Sequence, residues 1–373
     1  MTRFTCYAQT MPGIEPIAWL EIRQRLARTR LVETLFAREK NGILVFEFDD
    51  ALTQTHTLRS VEDVFLLVQL KEHISRDWKD LRELTRDIED LRILDQPLKV
   101  FRSGGEASAD AESGDRPKPS LQKFPLTFRI VARKEGQHSY RRIDLEQAVQ
   151  QAVTKAYPHQ LQFKAEDADI EIWVNALGSI LLWGVRLTDR TMRHRAYKTA
   201  HVAASLRPSV AAAMVLLTEP TPDDAFLEPM CGAGTLVAER LVLGGVRQLL
   251  AGDISPKMLA AARTNVPRDA MRRLVRWDAT RLPMASGAID KAAVNLPFGK
   301  KIGSKGEIAR LYPAFFREAS RVLAPGGILV ALSSEYELMR QALREAPALT
   351  IDRGYSVAIL GEWSRVYIVR QSQ

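Results

Sequence analysis

The chain has 373 residues, of which 46% are hydrophobic and 26% charged, a composition that excludes an intrinsically disordered protein. Its length exceeds that of one ordinary hydrophobic core and predicts two or three domains. Two cysteines are too few for a disulfide framework or a four-cysteine metal site, and a formal net charge of +8 favours a polyanionic partner.

The sequence also indicates the compartment. No stretch reaches the roughly 18 uninterrupted apolar residues of a membrane span, and the N-terminus lacks the basic-then-apolar pattern of a signal peptide. Six histidines occur without a His-Glu-x-x-His pattern. We therefore expect a cytoplasmic protein without a metal.

Residues 1–70 predict a small α+β unit by their periodicity and turn signals. The predicted elements are strands at 3–8 and 42–48 and helices at 16–28 and about 60–68. We expect this unit to be the first domain.

Residues 71–187 predict a second unit that mixes helices with antiparallel strands. Its predicted elements are helices at 78–94 and 144–156 and strands at 98–101, 126–132, 170–175 and 179–186. Residues 103–120 are rich in Gly, Ser, Ala, Asp and Pro, which predicts a mobile loop. Residues 188–205 are basic and aperiodic, which predicts a linker.

From residue 206 onward, strands alternate with helices to the end, the pattern of a doubly wound parallel α/β sheet. Its first predicted strand, 225–228, ends in Glu228 and is followed by Pro-Met-Cys-Gly-Ala-Gly-Thr at 229–235 and then a helix. A glycine turn that leads into a helix presents free N–H groups and the positive end of the helix dipole. An anionic group of a ligand can bind there.

The next two predicted strands also end in acids. Asp253 follows the strand at 248–252, at the usual place for an acid that accepts hydrogen bonds from a ribose. Asp278 follows the strand at 274–277 and can accept from an adenine amine. The alternative is that each acid only caps the next helix. The turn lacks the Gly-x-Gly-x-x-Gly fingerprint of nicotinamide enzymes, so S-adenosylmethionine, which has no pyrophosphate, fits better.

The predicted strand at 291–294 leads into Asn-Leu-Pro-Phe-Gly at 295–299, beside the point where the strand order reverses and a ligand is expected. The Asn295 side-chain oxygen and the Leu296 carbonyl can hold the N–H groups of a base amine. Pro297 stiffens the turn, and a base can stack on Phe298. The alternative is an Asn-capped loop with a core phenylalanine.

Lysines and cysteines around these loops carry weaker signals. Lys300, Lys301 and Lys305 follow the Asn295 loop and either contact phosphates or remain solvated. Cys231 lies in the glycine turn and Cys6 near the N-terminus, so neither is placed like the thiolate nucleophile of some RNA methyltransferases. We interpret both cysteines as packing residues.

Together these motifs resemble the THUMP-domain class I RNA methyltransferases, and in particular the tRNA guanosine-N2 methyltransferases that act on the acceptor stem. The resemblance covers nearly the whole chain. It depends on Leu-Arg-Pro at 206–208, Glu-Pro-Met-Cys-Gly-Ala-Gly-Thr at 228–235, Asn-Leu-Pro-Phe-Gly-Lys-Lys-Ile-Gly at 295–303 and Leu-Tyr-Pro at 311–313.

The resemblance implies the domain order and the reaction. The implied domains are a ferredoxin-like domain at 1–70, a THUMP domain at 71–187 that grips the 3′ end of tRNA, a linker at 188–205 and a Rossmann-fold methyltransferase domain at 206–373. The implied reaction is methyl transfer from S-adenosylmethionine to N2 of a guanosine in tRNA, at position 6 of the acceptor stem. We expect a monomer.

The resemblance also implies site residues. Asn295, Leu296, Pro297 and Phe298 would receive the guanine. The implied cofactor-binding residues are Ser205, Leu206, Pro208, Glu228, Met230, Cys231, Gly232, Ala233, Gly234, Thr235, Asp253, Ile254, Asp278, Ala279 and Asn295. Candidates for contact with RNA phosphates, with solvated charge as the alternative, are Arg129, Arg133, Lys134, Arg141, Arg142, Arg193, Arg195, Lys198, Lys300, Lys301 and Lys305.

Two departures from the family pattern leave alternatives open. Leu296 replaces the first proline of the Asn-Pro-Pro-aromatic motif, and the asparagine form also occurs in adenine-N6 enzymes. The segment at 103–120 is an insertion in the THUMP-like unit. Adenine-N6 methylation and guanine-N2 methylation of ribosomal RNA are therefore alternatives. A non-catalytic RNA-binding module is the alternative from another class.

Overall fold

A computed structural model describes residues 3–37, 41–102, 125–202, 205–268, 273–299, 304–359 and 361–373. Its strands form two sheets, one of eight strands in the N-terminal half and one of seven strands in the C-terminal half. The predicted mixed α/β fold class is confirmed. The loop predicted at 103–120 lies outside the described residues.

The N-terminal sheet is continuous across the boundary predicted at residue 70. It contains β1 (Phe4–Thr10), β2 (Arg30–Ala37), β3 (Asn41–Phe48), β4 (Asp63–Lys71), β5 (Leu126–Glu135), β6 (Leu161–Phe163), β7 (Ile170–Leu177) and β8 (Ile180–Arg186). The strand order is β2-β3-β1-β4-β8-β7-β5-β6, so β4 of the first predicted unit pairs with β8 of the second. The helices of this half are α1 (Glu15–Arg25), α2 (Trp78–Glu89), α3 (Asp95–Arg102) and α4 (Arg142–Ala156).

Four elements of this half differ from the prediction, one of which is the unpredicted short edge strand β6. The region predicted as a helix at 60–68 is mostly strand β4. A short apolar run that is buried on both faces of a sheet has neither helical nor strand periodicity, so its sequence does not distinguish the two elements. The strand predicted at 98–101 belongs to α3, whose Leu98 lies beside Leu94 in the buried core at helical spacing. The sequence does not predict β2, an edge strand that leaves Phe36 67% exposed.

The C-terminal sheet carries the motifs. It contains β9 (Ala225–Glu228), β10 (Gln248–Asp253), β11 (Leu274–Arg276), β12 (Ile289–Asn295), β13 (Leu323–Ser333), β14 (Leu349–Ile359) and β15 (Glu362–Gln371), in the order β11-β10-β9-β12-β13-β15-β14. Its helices are α5 (Pro208–Leu216), α6 (Thr235–Val242), α7 (Pro256–Asn265), α8 (Lys305–Val322) and α9 (Tyr336–Arg344). Strand order reverses between β9 and β12, which places the motifs at the switch point of the sheet.

The last two strands correct the prediction of an entirely parallel sheet. β9 to β13 run parallel, whereas β15 runs antiparallel to both β13 and β14. Residues 360 and 361 alone separate β14 from β15. A connection that short allows only an antiparallel hairpin, since a parallel crossover needs a dozen or more residues.

The two halves share a buried core and are joined by hydrogen bonds to buried carboxylates such as Glu239. Ile17 of α1 lies in the same apolar cluster as Val210 of α5. Glu239 of α6 accepts hydrogen bonds from Arg59 Nε at 2.6 Å, from Arg195 Nε at 3.1 Å and from the Tyr197 hydroxyl at 2.7 Å. A buried carboxylate needs such partners to offset its lost hydration. The segment predicted as a linker is therefore held firmly against both halves.

Candidate active site

The first acid of the site is Glu228 at the end of β9. It is 2% exposed, and its carboxylate accepts a hydrogen bond from the Val237 N–H in the first turn of α6 at 2.9 Å. Burial raises the pKa of Glu228 well above its usual range despite this hydrogen bond, and the charge of Asp253 raises the pKa further. A nearby cation stabilises such a carboxylate, so the position suits the ammonium group of an amino-acid-like ligand.

The glycine turn between β9 and α6 borders open space. Gly232 and Gly234 have φ angles of +51° and +76°, a conformation that glycine adopts without strain. A Cβ at Gly232 would meet no atom within 4 Å, whereas one at Gly234 would lie 3.0 Å from Val266 Cγ1. Gly234 thus packs the turn onto the end of α7, and Gly232 leaves room where a ligand can approach the backbone.

Asp253 ties this turn to the end of β10. Its Oδ2 accepts from the Gly232 N–H and its Oδ1 from the Ser255 N–H, both at 2.9 Å. Ser255, not Asp253, is the residue that caps α7. The helix-cap alternative is therefore wrong for Asp253, and the carboxylate is placed at the carboxyl edge. Ile254 beside it is 63% exposed, an apolar surface at the same edge.

The third acid, Asp278, lies just beyond β11 and is exposed. Its Oδ1 accepts from the Thr280 N–H at 2.9 Å and from the Thr280 hydroxyl at 2.8 Å. Ala279, which follows it, is buried. Because β11, β10 and β9 are neighbours in that order, the structure brings all three predicted acids to one edge of the sheet.

The segment before α5 flanks the turn. Ser205 Oγ is buried and has no hydrogen-bond partner within the described part of the chain. The Lys198 ammonium donates to the Leu206 carbonyl, and burial lowers the pKa of Lys198 to about 8. Pro208 is the first residue of α5 and is buried. An unpartnered buried hydroxyl is suited to a polar ligand.

Asn265, at the end of α7, connects this segment to the glycine turn and is a site residue that sequence reasoning missed. Its Oδ1 accepts from the N–H groups of Thr199 and Ala200 at 3.0 and 2.8 Å. Its Nδ2 donates to the carbonyls of Ala200 and Ala233 at 2.9 and 3.0 Å. The amide is 2% exposed and fully used. A single asparagine in the last turn of a helix has no distinguishing sequence pattern.

Asn295 ends β12 at the switch point. It pairs with Leu332 of β13, and its Oδ1 is buried without a hydrogen-bond partner in the described residues. Buried side-chain oxygens are nearly always hydrogen-bonded, so this one is placed to accept from a bound group. The Leu296 N–H donates to the Leu332 carbonyl at 3.1 Å, which holds the loop on the sheet.

Tyr312 of α8 supports the rest of the loop. Its hydroxyl donates to the Pro297 carbonyl at 3.1 Å and shares a 2.8 Å hydrogen bond with Ser333 Oγ. Phe298 is half-buried and leaves part of its ring exposed. Gly299 has φ +70°, and a Cβ there would come within 2.7 Å of Ile308 Cδ1. The loop is therefore fixed from both sides, as a preformed site requires.

The basic residues predicted to contact RNA have different environments. Arg141 and Arg142 lie at the start of α4 with side chains 79% and 59% exposed. Arg129 pairs with Glu171, Arg133 lies over the Trp173 ring, and Arg193 pairs with Asp63. Lys134 is half-buried on β5, and Lys305 is exposed at the start of α8. Lys300 and Lys301 lie outside the described residues.

The prediction that Arg195 contacts RNA is wrong. The side chain is buried against Glu239 and donates to the carbonyls of Met192 and Arg59. A guanidinium held in this way cannot reach a phosphate, so Arg195 is structural. The sequence shows only that residue 195 is an arginine, which is compatible both with contact to a phosphate and with a buried ion pair.

Neither cysteine is a nucleophile in this fold. Cys6 and Cys231 are both buried, and burial raises the pKa of each thiol. Across the described ranges, no group of three or more His, Cys, Asp or Glu side chains is close enough to hold a metal ion. In the same ranges no helix is long and apolar enough to cross a membrane.

Comparison with known proteins shows the family of this chain. The family model UPF0020, an RMKL-like methyltransferase domain, matches residues 195–353. The tRNA (guanine(6)-N2)-methyltransferase of Thermus thermophilus is 30% identical over 248 residues, which cover 66% of this chain and 72% of that protein. This chain belongs to the tRNA guanine-N2 methyltransferase family.

Two further comparisons cover more of this methyltransferase. The tRNA (guanine(6)-N(2))-methyltransferase THUMP3 of Bos taurus is 24% identical over 423 residues, covering 90% of this chain and 82% of the relative. The crystal structure of TrmN from Thermus thermophilus superimposes with a TM-score of 0.74 and 24% identity over 99% of this chain and 100% of that one. The second likeness shows a common fold over the whole length.

S-adenosylmethionine is the cofactor of this methyltransferase. The residues present fit it. Gly232 borders open space, and Ser205 Oγ and Asn295 Oδ1 are buried without partners in the described chain. Glu228 and Asp253 add carboxylates at the same edge, where cationic and hydroxyl groups of a ligand can be bound.

Proposed function

We propose that the methyltransferase transfers a methyl group to the exocyclic N2 of guanosine 6 in the acceptor stem of tRNA. The observation that carries the proposal is the buried, unpartnered Oδ1 of Asn295 at the end of β12. A guanine N2 amine offers two N–H donors, and an acceptor at this position satisfies one of them. The names of two relatives, from Thermus thermophilus and Bos taurus, support guanine and position 6.

The chemistry needs little from the protein except position and hydrogen-bond acceptors. When bound, S-adenosylmethionine supplies a methyl group on a positively charged sulfur. With the cofactor bound, the N2 lone pair would form the new N–C bond, sulfur would keep the electrons of the C–S bond, and N2 would then release a proton to water. Asn295 Oδ1 and the Leu296 carbonyl stabilise the positive charge that develops on N2. Phe298 provides the surface on which the displaced base stacks.

We assign a cofactor role to each acid and to the start of α6. Glu228 is assigned to the ammonium group, the N–H groups at the start of α6 to the carboxylate, and Asp253 to the ribose. Ile254 and Asp278 take the adenine, with the exposed Ile254 side chain against the ring. The other residues of this proposed site are Ser205, Leu206, Pro208, Met230, Cys231, Gly232, Ala233, Gly234, Thr235, Ala279 and Asn295.

The N-terminal half is proposed to hold the tRNA. Arg141 and Arg142 are the best-exposed of its candidate contacts, and its other described candidates are Arg129, Arg133, Lys134 and Arg193. Lys198 of the linker and Lys305 of α8 are the remaining described candidates. We propose a ferredoxin-like domain at 1–70, a THUMP domain at 71–187 that binds the 3′ end, a linker at 188–205 and the catalytic domain at 206–373. A cytoplasmic location and a monomeric state are part of the same proposal.

Position 6 is tested with defined tRNA transcripts. A transcript with G6 should incorporate labelled methyl groups from S-adenosylmethionine, and an otherwise identical transcript with C6 paired to G67 should not. A transcript with A6 separates base from position, since label in N6-methyladenosine would show an adenine-N6 enzyme. Undiminished labelling of guanosine in the C6 transcript would exclude position 6 as the target.

A further inference from the structure

The Pro297 carbonyl is an anchor of the loop that follows β12. Proline has no backbone N–H, so the carbonyl is the one backbone group through which Pro297 can be held by a hydrogen bond. It accepts from the hydroxyl of Tyr312, a fully buried residue of α8, at 3.1 Å. The preceding anchor is the Leu296 N–H, which donates to the Leu332 carbonyl. The position of the peptide between Pro297 and Phe298 therefore depends on the Tyr312 hydroxyl.

The Tyr312 hydroxyl is itself aligned by a second buried hydroxyl. Its one proton is used for the Pro297 carbonyl, so in the 2.8 Å hydrogen bond with Ser333 Oγ the serine is the donor. Ser333 Oγ in turn accepts from the Glu335 N–H at 2.9 Å. Three hydrogen bonds thus form a relay in one direction, and hydrogen bonds in series strengthen one another in a buried environment. Burial raises the pKa of Tyr312, which keeps its hydroxyl a donor.

The relay ends where the loop crosses the edge of the sheet. Leu296 lies in the same apolar cluster as Tyr312, whereas Phe298 packs against the cluster that contains Val210 of α5. Alternate residues of β13 belong to these two clusters, so the clusters lie on opposite faces of the sheet. The chain passes from one face to the other at Pro297. The residue that the relay holds is therefore the one that determines where the Phe298 ring is presented.

We propose that Tyr312 is a positioning residue for methyl transfer, with its hydroxyl aligned by Ser333 and holding the Pro297 carbonyl. This contact fixes the Leu296 carbonyl and the Phe298 ring before the target base arrives. The proposal rests on the proposed function, in which this loop receives the base. Acceptors that are already in place need no reorganisation during the reaction, and a displacement of about 1 Å can lower the rate about 10²-fold.

The test measures methylation of tRNA by the full-length Tyr312→Phe variant, which keeps the ring and removes the hydroxyl alone. Loss of a hydrogen bond that leaves a buried partner unsatisfied changes an equilibrium roughly 5- to 150-fold. We expect the single-turnover rate and kcat to fall within that range, while the Kd values for S-adenosylmethionine and for tRNA stay at the wild-type level. A hydroxyl that only stabilised the fold would lower the melting temperature and leave kcat unchanged.

A second variant, Ser333→Ala, tests the relay. Tyr312 keeps its hydrogen bond to Pro297 in this variant but loses the group that aligns its hydroxyl, so kcat should fall less than in Tyr312→Phe. The double variant should lose no more than Tyr312→Phe alone, because both hydroxyls act through the same carbonyl. Losses that simply add in the double variant would show that Ser333 does not act through Tyr312 and would refute the relay.

Tyr140→Phe is the matched control. Tyr140 is buried in the N-terminal half, and its hydroxyl has no hydrogen-bond partner among the described residues, so its removal should leave kcat unchanged. Wild-type kcat in Tyr312→Phe would overturn the proposal. If Asn295→Ala is inactive in the same assay, the failure is confined to the role of Tyr312. If Asn295→Ala is fully active, the assignment of the loop in the proposed function has failed as well.

Discussion

The Asn295→Ala variant is expected to lose about 10²- to 10³-fold or more in kcat while it still binds S-adenosylmethionine. The lost side chain carries the buried Oδ1 that has no partner within the described residues. The backbone of the loop should persist, because the Leu296 N–H bonds to Leu332 and the Pro297 carbonyl to Tyr312. Single-turnover methylation of tRNA and calorimetry with the cofactor measure the two effects.

The matched control is a variant that removes a side-chain amide outside the proposed site. Gln341 is exposed on α9, and Gln341→Ala should leave both kcat and cofactor affinity at the wild-type level. If Asn295→Ala methylated tRNA as fast as the wild type, the assignment of the Asn-Leu-Pro-Phe loop as the catalytic site would be wrong. An equal loss of cofactor binding would instead confine Asn295 to its proposed place in the cofactor site and remove it from the methyl-transfer step.

The second large effect is expected for Asp253→Ala, which should weaken binding of S-adenosylmethionine about 10- to 150-fold. A hydrogen bond to a charged group is worth about 1.5–3 kcal/mol, which corresponds to that range. Asp253 also holds the Gly232 and Ser255 N–H groups at 2.9 Å, so its loss loosens the glycine turn. Titration calorimetry with the purified variant measures the change in Kd.

Asp352→Ala is the control for loss of a carboxylate. Asp352 is exposed on β14 and pairs with Arg370, so its removal should not change cofactor affinity. The comparison also tests the reading of the chain as a non-catalytic RNA-binding module. Such a module need not bind S-adenosylmethionine, so absence of binding in the wild type would favour it. Wild-type affinity in Asp253→Ala would refute the assignment of Asp253.

The catalytic sheet could be predicted well because its signals are local. The acids Glu228, Asp253 and Asp278 each follow a short apolar strand, and the structure brings them to one edge as expected. The Asn295 loop likewise lies at the switch point. Parallel strands place their carboxyl ends at the same edge of a sheet, whatever the structure of the remainder of the chain. Strand order and loop sequence were therefore enough to predict where the acids and the Asn295 loop lie.

The N-terminal half could be predicted less well because its structure depends on partners distant in sequence. Val64 and Phe65 are buried by strands β1 and β8 on either side, and neither contact leaves a periodic pattern in β4 itself. Long-range pairing therefore overrode the helix prediction there. Strand β2, which contains Phe36, was not predicted either. An exposed aromatic ring on an edge strand obscures the alternation of apolar and polar residues by which a strand is recognised.

Individual charges were the least predictable part of the site. Arg195 and Arg142 look alike in sequence, yet Arg195 is buried against Glu239 and Arg142 is exposed. Tyr197 is half-buried at the same carboxylate, and desolvation and then Glu239 raise its pKa. The role of such a side chain depends on which residue from a distant part of the sequence contacts it in the fold, and local sequence does not predict that contact.

The most direct test of the account is mass spectrometry of nucleosides from bulk tRNA after incubation with the purified protein and isotope-labelled S-adenosylmethionine. We expect label in N2-methylguanosine and in no other nucleoside. Label in N6-methyladenosine would keep the fold and the cofactor but contradict the proposed base. The absence of label from every tRNA nucleoside would contradict tRNA as the substrate, and ribosomal RNA would then be assayed in the same way.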